Sequence, residues 1–330
     1  MTARIGWYVH HHGRGHLTRF LAIAPHVDAD ISVFSSLPAP AELPASCSWT
    51  VLDRDDDPRD GRDPRDAEPT ASGLLHWAPL GHAGHRGRLA AIAAAAEAQE
   101  LDAFVVDVSA EVALLVRLLG VQPVLIAQPG IRDDEPHRLA FSAASAIIAP
   151  WPEALLRPDH LAPFAARTVF TGGISRFDGR VSAAGQDGVL LLGGAGGTAV
   201  TDEDIEEAIQ ATDREWTMLG DGRWSPDPWE ALTRAAVVVS WAGQNAIADL
   251  AAAGARAVVV PQERPFAEQR ATAAALERAG LAVVVPHWPT RQQWPDVLAR
   301  ASDIEPDWSA WQVGGAAARA AAVIERVARS

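Results

Sequence analysis

The sequence predicts an α/β protein made of two successive doubly wound halves, and three observations carry that expectation. Short β-branched runs alternate with alanine- and leucine-rich segments, the pattern of buried parallel strands joined by helices. The alternation is interrupted over residues 176–188, a polar, glycine-dotted stretch, and then begins again. The chain has 330 residues, 48% of them hydrophobic, too many for one ordinary core but suited to two domains of common size. Two such halves facing each other place a ligand between them, at the carboxyl ends of their strands.

In the first half the spacing predicts strands at 4–9, 30–34, 49–52, 103–107, 124–127, 146–149 and 169–171, with helices at 17–26, 89–99 and 110–119. Residues 54–73 alternate Asp, Arg, Pro and Gly with almost nothing apolar. Such a segment cannot bury enough surface to offset its ordering entropy and is expected to be a mobile loop. In the second half strands are predicted at 189–192, 216–219, 236–240, 257–260 and 281–285, with helices at 202–211, 245–253 and 268–279. Gly254 and Gly280 stand where helix C-caps are expected. The implied organisation is a first domain over 1–175, a linker over 176–188, a second domain over 189–310 and a closing helix within 311–330. The late tryptophans, Trp288, Trp294, Trp308 and Trp311, are expected to pack against that helix.

All 28 basic residues are arginine, so Schiff-base catalysis and lysine-based phosphate loops are excluded. A net charge of −14 argues against bulk nucleic-acid binding. One cysteine, Cys47, cannot form an internal disulfide and fits a reducing compartment. The chain shows neither a signal-peptide pattern nor a run of roughly 18 apolar residues. The expected setting is therefore soluble and cytoplasmic, with a peripheral contact at the inner membrane face left open.

The most informative stretch is Ser240-Trp241-Ala242-Gly243-Gln244-Asn245-Ala246-Ile247-Ala248-Asp249, where a strand turns at Gly243 straight into a helix. The first helical amides have no internal partners, and the helix dipole adds partial positive charge there. A diphosphate can be held by such a turn without lysine. Asn245 and Asp249, four apart, share one helix face, so Asp249 can accept hydrogen bonds from ribose hydroxyls one turn below. A solvent-facing aspartate behind an asparagine cap is the plainer reading. Further on, Glu268 and Gln269 open another helix on the carboxyl side of a strand; an adjacent acid and amide can bind vicinal sugar hydroxyls.

The pair Gly243…Asp249-Leu-Ala-Ala-Ala-Gly254 and Pro261…Gln269…Ala273 resembles the donor-binding region of GT-B glycosyltransferases, within them the family-28-like group of peptidoglycan lipid-intermediate synthesis. Three further segments agree in order and spacing. His12-Gly13-Arg14-Gly15-His16-Leu17-Thr18-Arg19 is similar to the family's glycine-rich first loop, Thr171-Gly172-Gly173-Ile174-Ser175-Arg176 to its segment before the linker, and Leu192-Gly193-Gly194-Ala195-Gly196-Gly197 to the loop opening its C-terminal domain. The resemblance implies the GT-B fold, two facing Rossmann-like domains with a cleft between them. By this likeness Asp249 stands at the ribose position, Gln269 at the donor-sugar position with Glu268 beside it, Gly243 and Gln244 at the phosphate turn, and Arg176 near the diphosphate. Gly193, Gly194 and Gly196 belong to the glycine loop that receives charge from the leaving group. The sequence departs from the family at Ala242, where a small hydroxyl residue is usual, at Asp249, where glutamate is usual, and at Asn245 and Arg264, which have no clear counterpart.

His16 closes the first loop, so its imidazole is expected to point into the cleft and take the proton of an acceptor hydroxyl. Asp107, ending the strand at 103–107, is expected to orient it or act as base, with Glu111 a weaker alternative. Gly13 and Gly15, with His82 and Arg86 from the segment around His76, Trp77, Pro79 and His85, are expected on the acceptor side. Successive residues of a strand point to opposite faces, so the run His10-His11-His12 is not expected to converge on a metal, and none is expected. The expected activity is inverting transfer of a sugar from a nucleotide diphosphate donor, uridine diphosphate favoured, to a small or lipid-linked acceptor. The nucleotide sugar serves as co-substrate, with no cofactor and no nucleic-acid partner. A nucleotide-sugar hydrolase, whose first loop also carries Gly-x-Gly-His-x-x-Arg, a 2-epimerase and a non-catalytic nucleotide-sugar-binding protein are the rival readings.

Overall fold

The structure, a computed structural model, describes residues 2–181, 187–194, 197–220, 225 and 227–330. The first domain contains β1 (Ala3–Val9), α1 (Gly15–Ile23), β2 (Ala29–Ser35), β3 (Cys47–Val51), α2 (Ala83–Gln99), β4 (Ala103–Asp107) and α3 (Ala110–Leu118). It continues through β5 (Gln122–Ile126), α4 (Glu135–Ala143), β6 (Ala146–Ala149) and β7 (Thr168–Phe170). All seven strands are parallel, in the order β3-β2-β1-β4-β5-β6-β7. The second domain runs β8 (Asp187–Leu192), α5 (Asp202–Ala211), β9 (Trp216–Leu219), α6 (Trp229–Arg234), β10 (Ala235–Ser240), α7 (Gln244–Ala253), β11 (Ala257–Val259), α8 (Glu268–Arg278), β12 (Val283–Val284) and α9 (Trp294–Asp303). Its five parallel strands lie in the order β12-β11-β10-β8-β9. Strand order reverses between β1 and β4 in one sheet and between β8 and β10 in the other. The loops leaving those strands are where an open α/β sheet binds ligands.

Strand periodicity explains the first core. Ile5, Trp7 and Val9 of β1 face α1 and the final helix, α10 (Ala316–Ala328), whereas Tyr8 packs with Phe34 and Phe104 on the opposite face, under α2 and α3. Gly6 is required between them: a Cβ there would stand 2.2 Å from Cδ2 of Phe104. Although α10 follows the second domain in sequence, it buries Ala316, Ala317, Ala320, Ile324 and Val327 in the core of the first.

Several elements differ from the sequence expectation. α2 begins at Ala83, six residues early, because His82 caps it: Nδ1 accepts from His85 N at 3.2 Å. Short α4, α6 and α9 were not expected at all. The segment at 54–73 is ordered by charge pairing rather than by apolar burial. Asp55 is buried against Arg88 at 2.8 Å, Asp63 holds Arg65 at 2.6 Å, and short 3-10 turns form at Pro64–Asp66 and Ala71–Gly73. Trp288 and Trp294 pack with Trp241 and Trp216 inside the second domain, not against the closing helix; Trp308 and Trp311 lie beneath α7. Among the described residues no helix is long and apolar enough to cross a membrane.

Candidate active site

The loops at the two switch points enclose a cleft of about 270 Å³. From the first domain come His12, Gly13, Arg14, Gly15, His16 and Arg19; from the second come Gly193 and Gly194 after β8 and the Gly243–Asn245 turn after β10. Arg176, Asp249 and Glu268 complete the wall. The N-termini of α1 and α7 meet across it. Asn245 Nδ2 donates to the carbonyl of Gly15 at 2.7 Å, so the two helix ends, each carrying unpaired amides and partial positive charge, face one space. Arg14, Arg19 and Arg176 line the cleft together with Asp249 and Glu268, and the two helix ends with their unpaired amides suit it to a polyanion.

At the β1–β4 switch, His16 Nδ1 lies 3.0 Å from Asp107 Oδ1. A carboxylate only accepts, so Nδ1 carries the proton and Nε2 keeps its lone pair. Asp107 is wholly buried. Burial alone would raise its pKa, but Arg19 and then His16 outweigh it and hold the carboxyl below its ordinary value. Arg19 Nη1 donates to both Asp107 oxygens, at 2.8 and 2.9 Å, while its Nη2 donates across the cleft to Gln244 Oε1 at 2.7 Å. Arg19 was missed from sequence; its position one turn after His16, on the same face of α1, was the available signal. The next residue, Val108, holds φ +63°, a costly conformation for a β-branched side chain. It lets Asp107 end its strand inside the cleft while Ser109 caps α3 by accepting from Val112 N at 3.2 Å.

Asp249 is buried at the cleft wall, where it accepts from the Ser175 hydroxyl at 2.7 Å and lies 3.4 Å from Arg176 Nε. Burial raises its pKa to about 6, against the lowering effects of Arg176 and Ser175. Glu268 accepts from Arg132 Nη2 at 3.1 Å, a further bond between the domains.

Other expected site residues stand elsewhere. Gln269, expected on the donor sugar, is buried and its Oε1 accepts from the amides of Ala242 at 3.1 Å and Gln262 at 2.9 Å, tying together the loops after β10 and β11. His82 and Arg86 are not on the acceptor side of the cleft: His82 caps α2 and pairs with the Asp57 carbonyl at 2.9 Å, and Arg86 is exposed on that helix. Glu111 instead accepts from the amides of His76 and Trp77, at 2.7 and 3.0 Å, anchoring that segment. Gly196 and residues 182–186 of the expected linker lie outside the described residues. The strand-alternation argument does not apply to the histidine run. β1 ends at Val9, so His11 and His12 are free of strand alternation, and both place Nε2 on Asp56 Oδ2, at 3.2 and 3.0 Å.

Two facing doubly wound domains with a cleft at their switch points define the GT-B fold. Residues 223–291 match the glycosyltransferase family 28 C-terminal domain. No curated protein gives a significant match to the sequence. Among solved structures the chain is similar to the glycotransferase of kitacinnamycin, with TM-score 0.70 and 16% identity over 99% of both chains. It is also similar to MurG of Acinetobacter baumannii, with TM-score 0.65 and 15% identity over 98% of this chain and 99% of that one. A UDP-glucosyltransferase from Polygonum tinctorium gives TM-score 0.69 and 15% identity over 100% and 99%. The chain thus has the GT-B fold from end to end, and residues 223–291 in its second half match the glycosyltransferase family 28 C-terminal domain.

Proposed function

We propose that the protein is an inverting glycosyltransferase that moves a sugar from a nucleoside diphosphate donor, uridine diphosphate favoured, to an acceptor hydroxyl. One observation carries the reading: the His16–Asp107 pair, 3.0 Å apart, opens onto the same cleft as the N-terminus of α7. His16 Nε2 takes the acceptor proton as the acceptor oxygen attacks the anomeric carbon; the bond to the diphosphate breaks on the opposite face, and the electron pair leaves on the phosphate oxygen. Asp107 keeps the imidazole in the required tautomer. The helix amides at Gly243–Asn245, with Arg176, stabilise the charge on the leaving diphosphate. Asp249 accepts from the donor ribose when Ser175 yields one of its oxygens. The similarity to a UDP-glucosyltransferase supports the choice of base.

The test measures nucleoside diphosphate release from a panel of nucleotide sugars, with and without hydroxyl acceptors. Release that requires an acceptor, and falls roughly a hundredfold or more in His16→Ala while nucleotide affinity by calorimetry is kept, is expected. Equal release without acceptor would assign the site to hydrolysis; a fully active His16→Ala would remove this residue from the mechanism.

A further inference from the structure

We propose that His11, His12 and Asp56 form a Zn2+ site at the edge of the cleft, joining the loop that carries His16 to the acidic segment after β3. The two Nε2 atoms lie 3.2 and 3.0 Å from the same oxygen, Asp56 Oδ2, and all three ligand atoms are within 4.8 Å of one another. Tetrahedral zinc with bonds of about 2.0–2.2 Å spaces its ligand atoms about 3.3–3.5 Å apart, close to the two imidazole–carboxylate spacings already present.

Hydrogen bonding alone accounts poorly for this arrangement. Asp56 Oδ2 also receives Arg54 Nη2 at 2.8 Å, which puts three nitrogens on one oxygen where about two lone pairs are available. Arg54 Nε is bonded to Oδ1 at 3.1 Å as well, so the guanidinium can stay on that oxygen while Oδ2 takes a cation. The His11 ring is buried, and its Nδ1 has no hydrogen-bond partner. In the metal-free chain the carboxylate keeps the proton on Nε2, and a cation that displaces it leaves that proton free to move to Nδ1. The His12 ring is 66% exposed and belongs to the cleft wall, which leaves the fourth position to water or an incoming oxygen ligand. Two imidazoles and one carboxylate suit a borderline divalent cation rather than Mg2+ or Ca2+.

A second cluster, His76, Asp134 and His137, provides the contrast. There Arg132 Nη1 donates to His137 Nε2 at 2.9 Å, and His137 Nδ1 sits on Asp134 Oδ1 at 2.6 Å. His137 thus spends both ring nitrogens on hydrogen bonds, Nε2 accepting and Nδ1 donating, which leaves it no lone pair for an ion. That group is a hydrogen-bond network.

Full-length protein stripped with a chelator, carrying no histidine tag, would be titrated with Co2+ and then Zn2+. One equivalent of Co2+ with the intense visible absorption of low-coordinate cobalt, displaced by Zn2+, is expected. Asp56→Asn and His12→Ala should each weaken Co2+ binding at least tenfold with unchanged circular dichroism, while His76→Ala binds as the parent does. No visible band, or a band that survives in both Asp56→Asn and His12→Ala, or one lost in His76→Ala, would overturn the assignment.

Discussion

Replacing Arg19 with methionine probes the pair on which the site geometry depends. Asp107 is 0% and Arg19 3% exposed, so removing the guanidinium leaves a buried carboxylate with His16 at 3.0 Å and Gln128 at 3.4 Å as its remaining partners. Losing one member of a buried ion pair costs about 3–5 kcal/mol; His16 keeps the value near the lower end. The lost bond to Gln244 adds about 1 kcal/mol. A total of about 4 kcal/mol in a domain of this size lowers the melting temperature by about 8–16 °C. Because Arg19 and His16 depress the Asp107 pKa, this stabilisation is present above the unfolded carboxyl value near 4 and is lost as pH falls through the folded value. The Arg19→Met variant should therefore lose stability at pH 7 and progressively less as pH falls below about 4. Combining it with Asp107→Asn should relieve much of the penalty, since no charge is then left unpaired. Chemical denaturation of the four proteins measures the coupling. A single variant within 1 kcal/mol of the parent, or additive effects in the pair, would refute the reasoning.

With a pKa raised to about 6 by burial, Asp249 is protonated in the folded chain at pH 5 and ionised at pH 7. The affinity for uridine diphosphate, measured by calorimetry, should rise roughly tenfold across that interval, the scale of a charged hydrogen bond, and be flat in Asp249→Asn. The same raised value means that Asp249 costs stability above about pH 6 and none below about 4, so Asp249→Asn should gain relative stability as pH rises between them. Gly6→Ala forces a methyl onto the Phe104 ring and should cost about 1–3 kcal/mol by denaturation. Ile324→Ala, which removes a fully buried side chain from α10, should cost about 2–5 kcal/mol. Its effect should be read as faster hydrogen exchange in β1, β4 and β5 rather than in the second domain.

The parallel strands were legible because each is a short, doubly buried apolar run; 103–107, 146–149 and 216–219 are predicted and observed with the same bounds. The three missed helices are short and broken by polar residues: α4 carries Pro136 and His137, α6 has six residues, and α9 opens with Trp-Pro-Asp. The early start of α2 was hidden by Gly84 and Gly87. Gly84 is needed there because a Cβ would stand 2.0 Å from the Arg54 carbonyl, a contact between distant residues that no local propensity reports. The His16–Asp107 pairing followed from two strand ends at one switch point, whereas Arg19 did not, since a buried cation is visible only once its carboxylate is in place. The charged segment at 54–73 looked disordered because its partners, Arg88 and the histidine run, lie 30 or more residues away. Gln269 occupies its expected helix start, but which groups an amide side chain serves depends on the loops folded over it.

The return of α10 to the first sheet has a consequence for biosynthesis. A ribosome delivers β1 through β7 long before α10, so the face formed by Ile5, Trp7, Val105 and Ile148 stays uncovered while about 145 further residues are translated. Full closure of that domain must wait for release of the final helix. A stalled or prematurely terminated nascent chain would expose this apolar surface, which makes it a substrate for holding chaperones and degradation.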